Sequence, residues 1–343
     1  MTLAAPSRTA GALGLTLGFG LDQLFGDPGR FHPVAGFGRL AAWLEQRTYA
    51  DRRTAGVLHV GLLVGASAGL GTAVAAATRR RPLLRLIATT AATWTVLGGR
   101  SLQREAQTLA DQLANDDLVA ARRQIRNLVG RDPSALTAEE LARACVESVA
   151  ENTSDAVVAP LFWGAVAGLP GLLAYRAVNT LDAMVGHRSP RYRRFGWAAA
   201  RLDDGANWLP ARVCGLLTVL VAPAVGGRPA DAWRAWRRDA SQHPSPNAGV
   251  VEAAFAGALG VRLGGTNVYH GVAEDRGTLG GGRPVAVGDI DAAARLSLLA
   301  STAAAGGAVL ASLVAAHSSR ARPRLAVMPA HRRARVVTFR TPA

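Results

Sequence analysis

Between Asp155 and Arg176 the chain runs for 20 residues without a charged side chain. Two further runs are longer: Ala55 to Thr78 and Leu296 to Ser319 each hold 24 residues without Asp, Glu or Arg. A helix needs ~20 apolar residues to cross a bilayer, so these runs predict an all-α, multi-pass integral membrane bundle. Shorter apolar runs, Ala10 to Leu21, Leu86 to Gly99 and Val213 to Gly227, read as marginal, tilted or re-entrant. Gly168-Leu169-Pro170-Gly171 falls inside the 20-residue run and predicts a broken helix, which a membrane protein tolerates where protein or a polar cavity surrounds the break. The chain is thus read as one membrane-embedded domain, residues 1–320, with a helical excursion outside the bilayer at about 100–145. The tail, 321–343, is basic and reads as a disordered cytoplasmic segment. The leader has no small-residue cleavage site before Asp22 and is read as retained.

The positive charge comes entirely from arginine. The net charge is +15, and the chain has 39 basic residues and no lysine. This excludes a Walker-type phosphate loop and a Schiff-base lysine, both of which require Lys. With 6% aromatic residues, a base-stacking nucleic-acid platform is disfavoured; basic loops facing anionic lipid are the better reading. Cys145 and Cys214 have no metal-binding spacing and read as small packing residues. His59, inside an apolar run, reads as a packed neutral side chain.

Polar groups bracket the 20-residue run. On its N-terminal side stands E-S-V-A-E-N-T-S-D, Glu147 to Asp155. After it come R-A-V-N-T-L-D-A-M-V-G-H, Arg176 to His187, and R-L-D-D-G-A-N-W-L-P-A-R, Arg201 to Arg212. Charged groups near a bilayer are costly unless paired, hydrated or ion-bound, so they form a candidate site. Glu147, Glu151 and Asp155 recur every fourth residue and would share one face of a regular helix. Their mutual repulsion suits a divalent cation, and Mg²⁺ takes carboxylate, water and phosphate oxygens. Asp182, Asp203 and Asp204 form a second acidic set. Arg176, His187 and Arg212 are candidates for holding phosphate or carboxylate. The set suits phosphoryl or acyl-phosphate chemistry rather than a serine triad, a zinc site or a redox cofactor.

Elsewhere, D-Q-L-F-G-D-P-G-R-F-H-P-V reads as an irregular loop presenting Asp22, Asp27 and His32. Arg39 to Arg53 reads as an interfacial helix, and Thr137-x-x-Glu140 as a capping box. Arg131, in L-V-G-R-D, reads as a solvated side chain. Leu263 to Gly282 reads as a Gly-rich loop without strand periodicity. Ser241 to Val261 echoes the central stretch at an offset of 93: Val157-Val158, Phe162 and Gly164-Ala165 match Val250-Val251, Phe255 and Gly257-Ala258.

Five runs together carry a resemblance. The loop around Asp27 and His32, E-S-V-A-E-N-T-S-D-A-V-V-A-P-L-F-W, Y-R-A-V-N-T-L-D-A-M-V-G-H, L-D-D-G-A-N-W-L-P-A-R and S-P-N-A-G-V-V-E-A-A-F-A-G-A-L-G-V resemble, in order, the CobD/CbiB family of cobalamin biosynthesis, adenosylcobinamide-phosphate synthase. The resemblance spans about Asp22 to Asp289. It implies a multi-pass enzyme of the cell membrane that joins (adenosyl)cobyric acid to (R)-1-amino-2-propanol or its phosphate, an acid–amine ligase using ATP and Mg²⁺. On this reading Glu147, Glu151 and Asp155 organise metal and nucleotide phosphates. Glu151, Asp182, Asp203 and Asp204 serve the chemistry. Asp27, His32, Asn152, Arg176, Asn179, His187, Asn207, Arg212, Asn247 and Glu252 contact substrate. The corrinoid, the amine and membrane lipids are the expected partners, with association with other enzymes of the pathway and without nucleic acid. The rival classes are a transporter, a lipid phosphotransferase and a non-catalytic membrane scaffold.

Overall fold

The computed structural model describes residues 4–29, 32–130, 132–187, 189–269 and 272–321. Four segments are long and apolar enough to cross a membrane: Arg53–Ala77, Ala138–Gly186, Trp197–Val225 and Asp289–Ala311. Their outward faces expose Leu58, Leu62, Leu70, Val166, Leu216, Leu220 and Leu310. A water-facing helix would carry polar groups there, so these faces suit lipid.

The chain opens with α1 (Ala4–Phe25), α2 (Pro33–Thr48), α3 (Arg53–Ala77) and α4 (Pro82–Val96). Helices α1 and α4 pack along their length. A Cβ at Gly14 would stand 2.6 Å from Thr89 Cβ, and one at Gly18 would strike Thr93. Small residues four apart let the two backbones approach, as membrane helices require when burial drives little association. The helix α1 runs to Phe25, so Asp22 is not in the expected loop. Asp22 is buried, and its Oδ2 accepts the Arg100 N–H at 3.3 Å and Gln23 Nε2 at 2.9 Å. It thereby serves the open N-terminus of α5 (Gly99–Ala114) from a distance. The irregular loop shrinks to residues 26–32.

The excursion comprises α5 and α6 (Leu118–Gln124) and leads into α7 (Ala138–Thr153). The Asp132 side chain accepts the Ser134 N–H, forming the expected turn. The capping box is present: Glu140 N–H donates to Thr137 Oγ1 at 3.3 Å, and Thr137 N–H to Glu140 Oε2 at 2.9 Å. Arg131 lies outside the described residues.

Next come α8 (Ala159–Leu181), the single turn α9 (Tyr192–Phe195) and α10 (Trp197–Val221). The expected break is in α8, where Gly168 has φ 65° and ψ −151°. A Cβ at Gly71 of α3 would lie 2.7 Å from the Leu169 carbonyl and Pro170, so the neighbouring helix fills the break. Helix α10 is continuous through Pro210. The apolar run from Val213 is therefore the second half of the helix that carries Asp203, not a separate re-entrant segment.

The chain closes with α11 (Pro229–Asp239), α12 (Ala248–Leu259), β1 (Leu263–Tyr269), β2 (Val272–Leu279) and α13 (Asp289–Ala321). The strands pair antiparallel. This corrects the Gly-rich loop reading: a bulge and positive-φ glycines hide the period-2 pattern. Helix α12 is almost wholly buried, with Val251, Ala253, Ala254 and Phe255 fully enclosed. The offset-93 echo has no structural counterpart in helix form, since Ser154–Val158 is a π turn and Ala248–Leu259 a regular helix. His59 is buried, hydrogen-bonded to Thr48 Oγ1 at 2.9 Å and packed on Phe195. Both cysteines are buried and free. Residues 322–343 of the expected tail lie outside the described residues.

Candidate active site

A π-helical turn stands at each end of α8, Ser154–Val158 and Asp182–Gly186, and each carries a carboxylate, Asp155 and Asp182. A π turn inserts one extra residue and often marks a functional position. One residue is ~100° of helical rotation, so the even spacing of Glu147, Glu151 and Asp155 does not keep them on one face. Glu147 and Glu151 line a cavity of about 400 Å³, whereas Asp155 does not.

That cavity gathers distant parts of the chain. Helix α7 supplies Glu147, Ser148 and Glu151; the second π turn supplies Asp182, Gly186 and, just past it, His187. Leu128 to Gly130 close one side, and Arg276 enters from β2. The ends of the expected site, separated by the whole of α8, therefore meet. The His187 ring stands edge-on to Tyr192, with centroids 4.9 Å apart.

A polar cluster adjoins the cavity. Asn207 Nδ2 donates to Asp203 Oδ2 at 2.9 Å. Asn207 Oδ1 accepts the Tyr175 hydroxyl at 2.8 Å, and that hydroxyl also lies 3.1 Å from the Asp155 carbonyl. Asn179 is a second hydrogen-bond partner of Asp203. Asp155 lies within electrostatic range of Asp203, Glu151, Asp182 and Arg176, and Arg176 also within range of Asp27. Carboxylates so placed repel unless a cation or proton separates them. Tyr175, the last residue of the uncharged run, was not among the expected site residues; a hydroxyl on an apolar stretch gives no charge signal.

Other expected residues engage partners within the chain. Glu147 Oε1 accepts the Gly264 N–H at 2.8 Å and lies 4.0 Å from Arg143 Nε. Asn152 donates back to the Ser148 carbonyl at 2.9 Å. Asp204 lies 3.6 Å from Arg201, and its carbonyl accepts Asn247 Nδ2 at 2.8 Å. Arg212 reaches Asn247 Oδ1 at 3.3 Å and stacks over Trp208, joining α10 to the start of α12. Glu252 lies 3.6 Å from His243 Nε2, both buried. His32 Nδ1 accepts the Val34 N–H to cap α2, with Nε2 3.9 Å from Asp27.

Among the described residues no three His, Cys, Asp or Glu side chains converge as a ready-made metal cage. The two-carboxylate wall of Glu151 and Asp182 still fits Mg²⁺, which is usually held by one or two carboxylates, water and substrate phosphates. Glu147 is already committed to the hairpin backbone.

Fold and site together define a helical membrane protein with an acidic cavity assembled from the two ends of a broken helix. The chain belongs to the CobD/CbiB family: the family described as CobD/Cbib protein matches residues 15–297. It is 57% identical over 302 residues to the cobalamin biosynthesis protein CobD of Mycobacterium tuberculosis (strain CDC 1551 / Oshkosh), covering 88% of this chain and 94% of that one. It is 49% identical over 276 residues to the protein of the same name from Geobacter metallireducens, covering 79% and 86%. No solved structure matches the chain. Its role therefore lies in cobalamin biosynthesis.

Proposed function

We propose that the chain is the acid–amine ligase that joins (adenosyl)cobyric acid, through one propionate, to (R)-1-amino-2-propanol or its phosphate. The observation that carries this reading is the meeting of Glu151 and Asp182 in one cavity beside Arg276. A carboxylate is a poor electrophile, and amide formation in water is uphill. Activation by phosphoryl transfer from ATP gives an acyl phosphate and ADP. Attack by the amine then forms the C–N bond, phosphate leaves with the former carboxylate oxygen, and the amine proton passes to a carboxylate. Asp182 and Asp203 stand where such a proton could be taken. Mg²⁺, when bound by Glu151 and Asp182, supplies charge neutralisation at the phosphates.

A cavity of about 400 Å³ is sized for a substrate arm and phosphates rather than a substituted macrocycle. The corrin ring stays at its mouth and one propionate enters. The protein works in the cell membrane as a multi-pass enzyme. The transporter alternative rests chiefly on the broken helix, and α3 fills that break at Gly71. The test is amide formation in purified membranes with cobyric acid, ATP, Mg²⁺ and aminopropanol with or without phosphate, read by mass spectrometry. Glu151→Gln and Asp182→Asn are each expected to lose at least ~100-fold, the scale of acid–base and electrostatic contributions. Unchanged amide formation in both rejects the assignment.

A further inference from the structure

Arg276 lies outside all five runs that carry the family resemblance, and among the described residues it is the guanidinium of the cavity. It reaches the wall by a bulge. Gly264 pairs with Thr278 and Thr266 with Asp275, so Arg276 and Gly277 stand opposite the single residue Gly265. A bulge of this kind re-aims a side chain. Gly277 has φ 71°, and a Cβ there would lie 2.5 Å from Gln242 Cβ.

The base of the hairpin is fixed on both sides. On the α7 side, Glu147 accepts the Gly264 N–H and Arg143 donates to the Gly264 carbonyl. At the end of α11, Asp239 Oδ2 accepts the Gly280 N–H at 2.9 Å, and Gln242 Oε1 accepts the Thr278 N–H at 3.3 Å. These anchors cost side chains that have no other evident use in the site, and they hold one bulge in place. A surface hairpin that only covered the fold would not need its bulged Arg at a cavity wall.

The wall that receives Arg276 also carries Glu147, Glu151 and Asp182. Carboxylates alone would repel an anionic substrate. A guanidinium on the same wall offers a planar fork that matches phosphate oxygens. We propose that Arg276 binds a phosphate group of a substrate in this cavity. The substrate's identity rests on the ligation reading: the phosphate is that of the nucleotide or that of phosphorylated aminopropanol. The reacting propionate is a poorer candidate, because clamping its oxygens in a guanidinium fork would lower its nucleophilicity.

The experiment uses the full chain in detergent, with Arg276→Gln and Arg276→Lys. Binding of labelled ATP and of labelled aminopropanol phosphate is measured by equilibrium dialysis without corrinoid, and KM for each, and for unphosphorylated aminopropanol, is measured in the complete reaction. Arg276→Gln is expected to weaken one phosphate ligand at least ~10-fold, with partial recovery in Arg276→Lys and no change in KM for unphosphorylated aminopropanol. A loss confined to ATP assigns the nucleotide phosphate; a loss confined to aminopropanol phosphate assigns the amine. Unchanged binding of both ligands overturns the proposal. Should the variants unfold, peptide mapping of phenylglyoxal adducts on the wild-type chain replaces them. Protection of Arg276 by either ligand supports the proposal, and its absence overturns it. Binding that depends on Arg276 in a protein that forms no amide would leave this proposal standing and remove the ligation reading.

Discussion

Glu147 Oε1 accepts the Gly264 N–H at 2.8 Å, joining two points separated by 117 residues of chain. A carboxylate in this position acts on the backbone of the hairpin rather than on an ion. The distinction can be measured. Glu147→Gln keeps an acceptor oxygen, so it is expected to retain most activity with an unchanged Mg²⁺ requirement. Glu147→Ala leaves a buried N–H without its acceptor, a loss of ~1–3 kcal/mol, and is expected to speed hydrogen exchange across 263–279. A raised Mg²⁺ requirement in Glu147→Gln would return Glu147 to the metal.

Gly186 lies beside Asp182 in the second π turn, and a Cβ there would collide with the Asp182 carboxylate. Gly186→Ala must displace that carboxylate or the turn. The expected outcome is at least a tenfold fall in kcat with expression close to wild type, since misplacing a reacting group by ~1 Å can cost 10²-fold. A wild-type kcat in Gly186→Ala would show that Asp182 does not need its observed position.

The membrane spans were legible because lipid imposes a length: Ala55 to Thr78 lies almost wholly within α3, and Leu296 to Ser319 within α13. The break at Gly168 was legible because Gly-Leu-Pro-Gly has few helical options. Two features were not. The π turns leave no mark in residue type, so the spacing of Glu147, Glu151 and Asp155 suggested a single face that the backbone does not keep. The hairpin was hidden because its bulge needs glycine where strand alternation would otherwise show, and Arg276 was hidden with it. The site residues of the motif runs were legible in bulk: Glu151, Asp182 and His187 meet in the cavity, and Asp203 and Asn207 stand beside it. Which of them would bond elsewhere in the chain, as Arg212 does with Asn247, depends on packing that no spacing reveals.

Tyr175 links the two halves of the polar cluster through its hydroxyl, 2.8 Å from Asn207 Oδ1. Tyr175→Phe keeps the buried ring and deletes that bond, leaving Asn207 without one partner. The expected cost is ~1–3 kcal/mol of stability, read as a lower midpoint in thermal unfolding in detergent. Asn207 also orients Asp203, so kcat is expected to fall while KM for ATP holds. An unshifted midpoint together with an unchanged kcat would show that this link contributes nothing.

The loop between α11 and α12, outside the membrane spans, gives the pH dependence. His243 is held neutral: burial first, then the nearby Arg276 charge, push its pKa from 6.5 down to about 4, against the opposing Ser245 backbone bond. Glu252, 3.6 Å from Nε2, faces it from α12. A folded-state value below the unfolded one means that the unfolded chain binds more protons between the two. Stability is therefore complete above pH 6.5 and is lost progressively as pH falls from 6.5 towards 4, by up to ~3 kcal/mol. Asp239 acts lower. Burial alone would raise its pKa, but Arg238, at 2.7 and 2.9 Å, and the Gly280 N–H hold it below 3.8, so its contribution disappears only below that value. Thermal midpoints in detergent from pH 7.5 to 4.5 are expected to fall in the wild type and to flatten in His243→Asn, which does not titrate in this range. Parallel curves for the two proteins would remove His243 as the source.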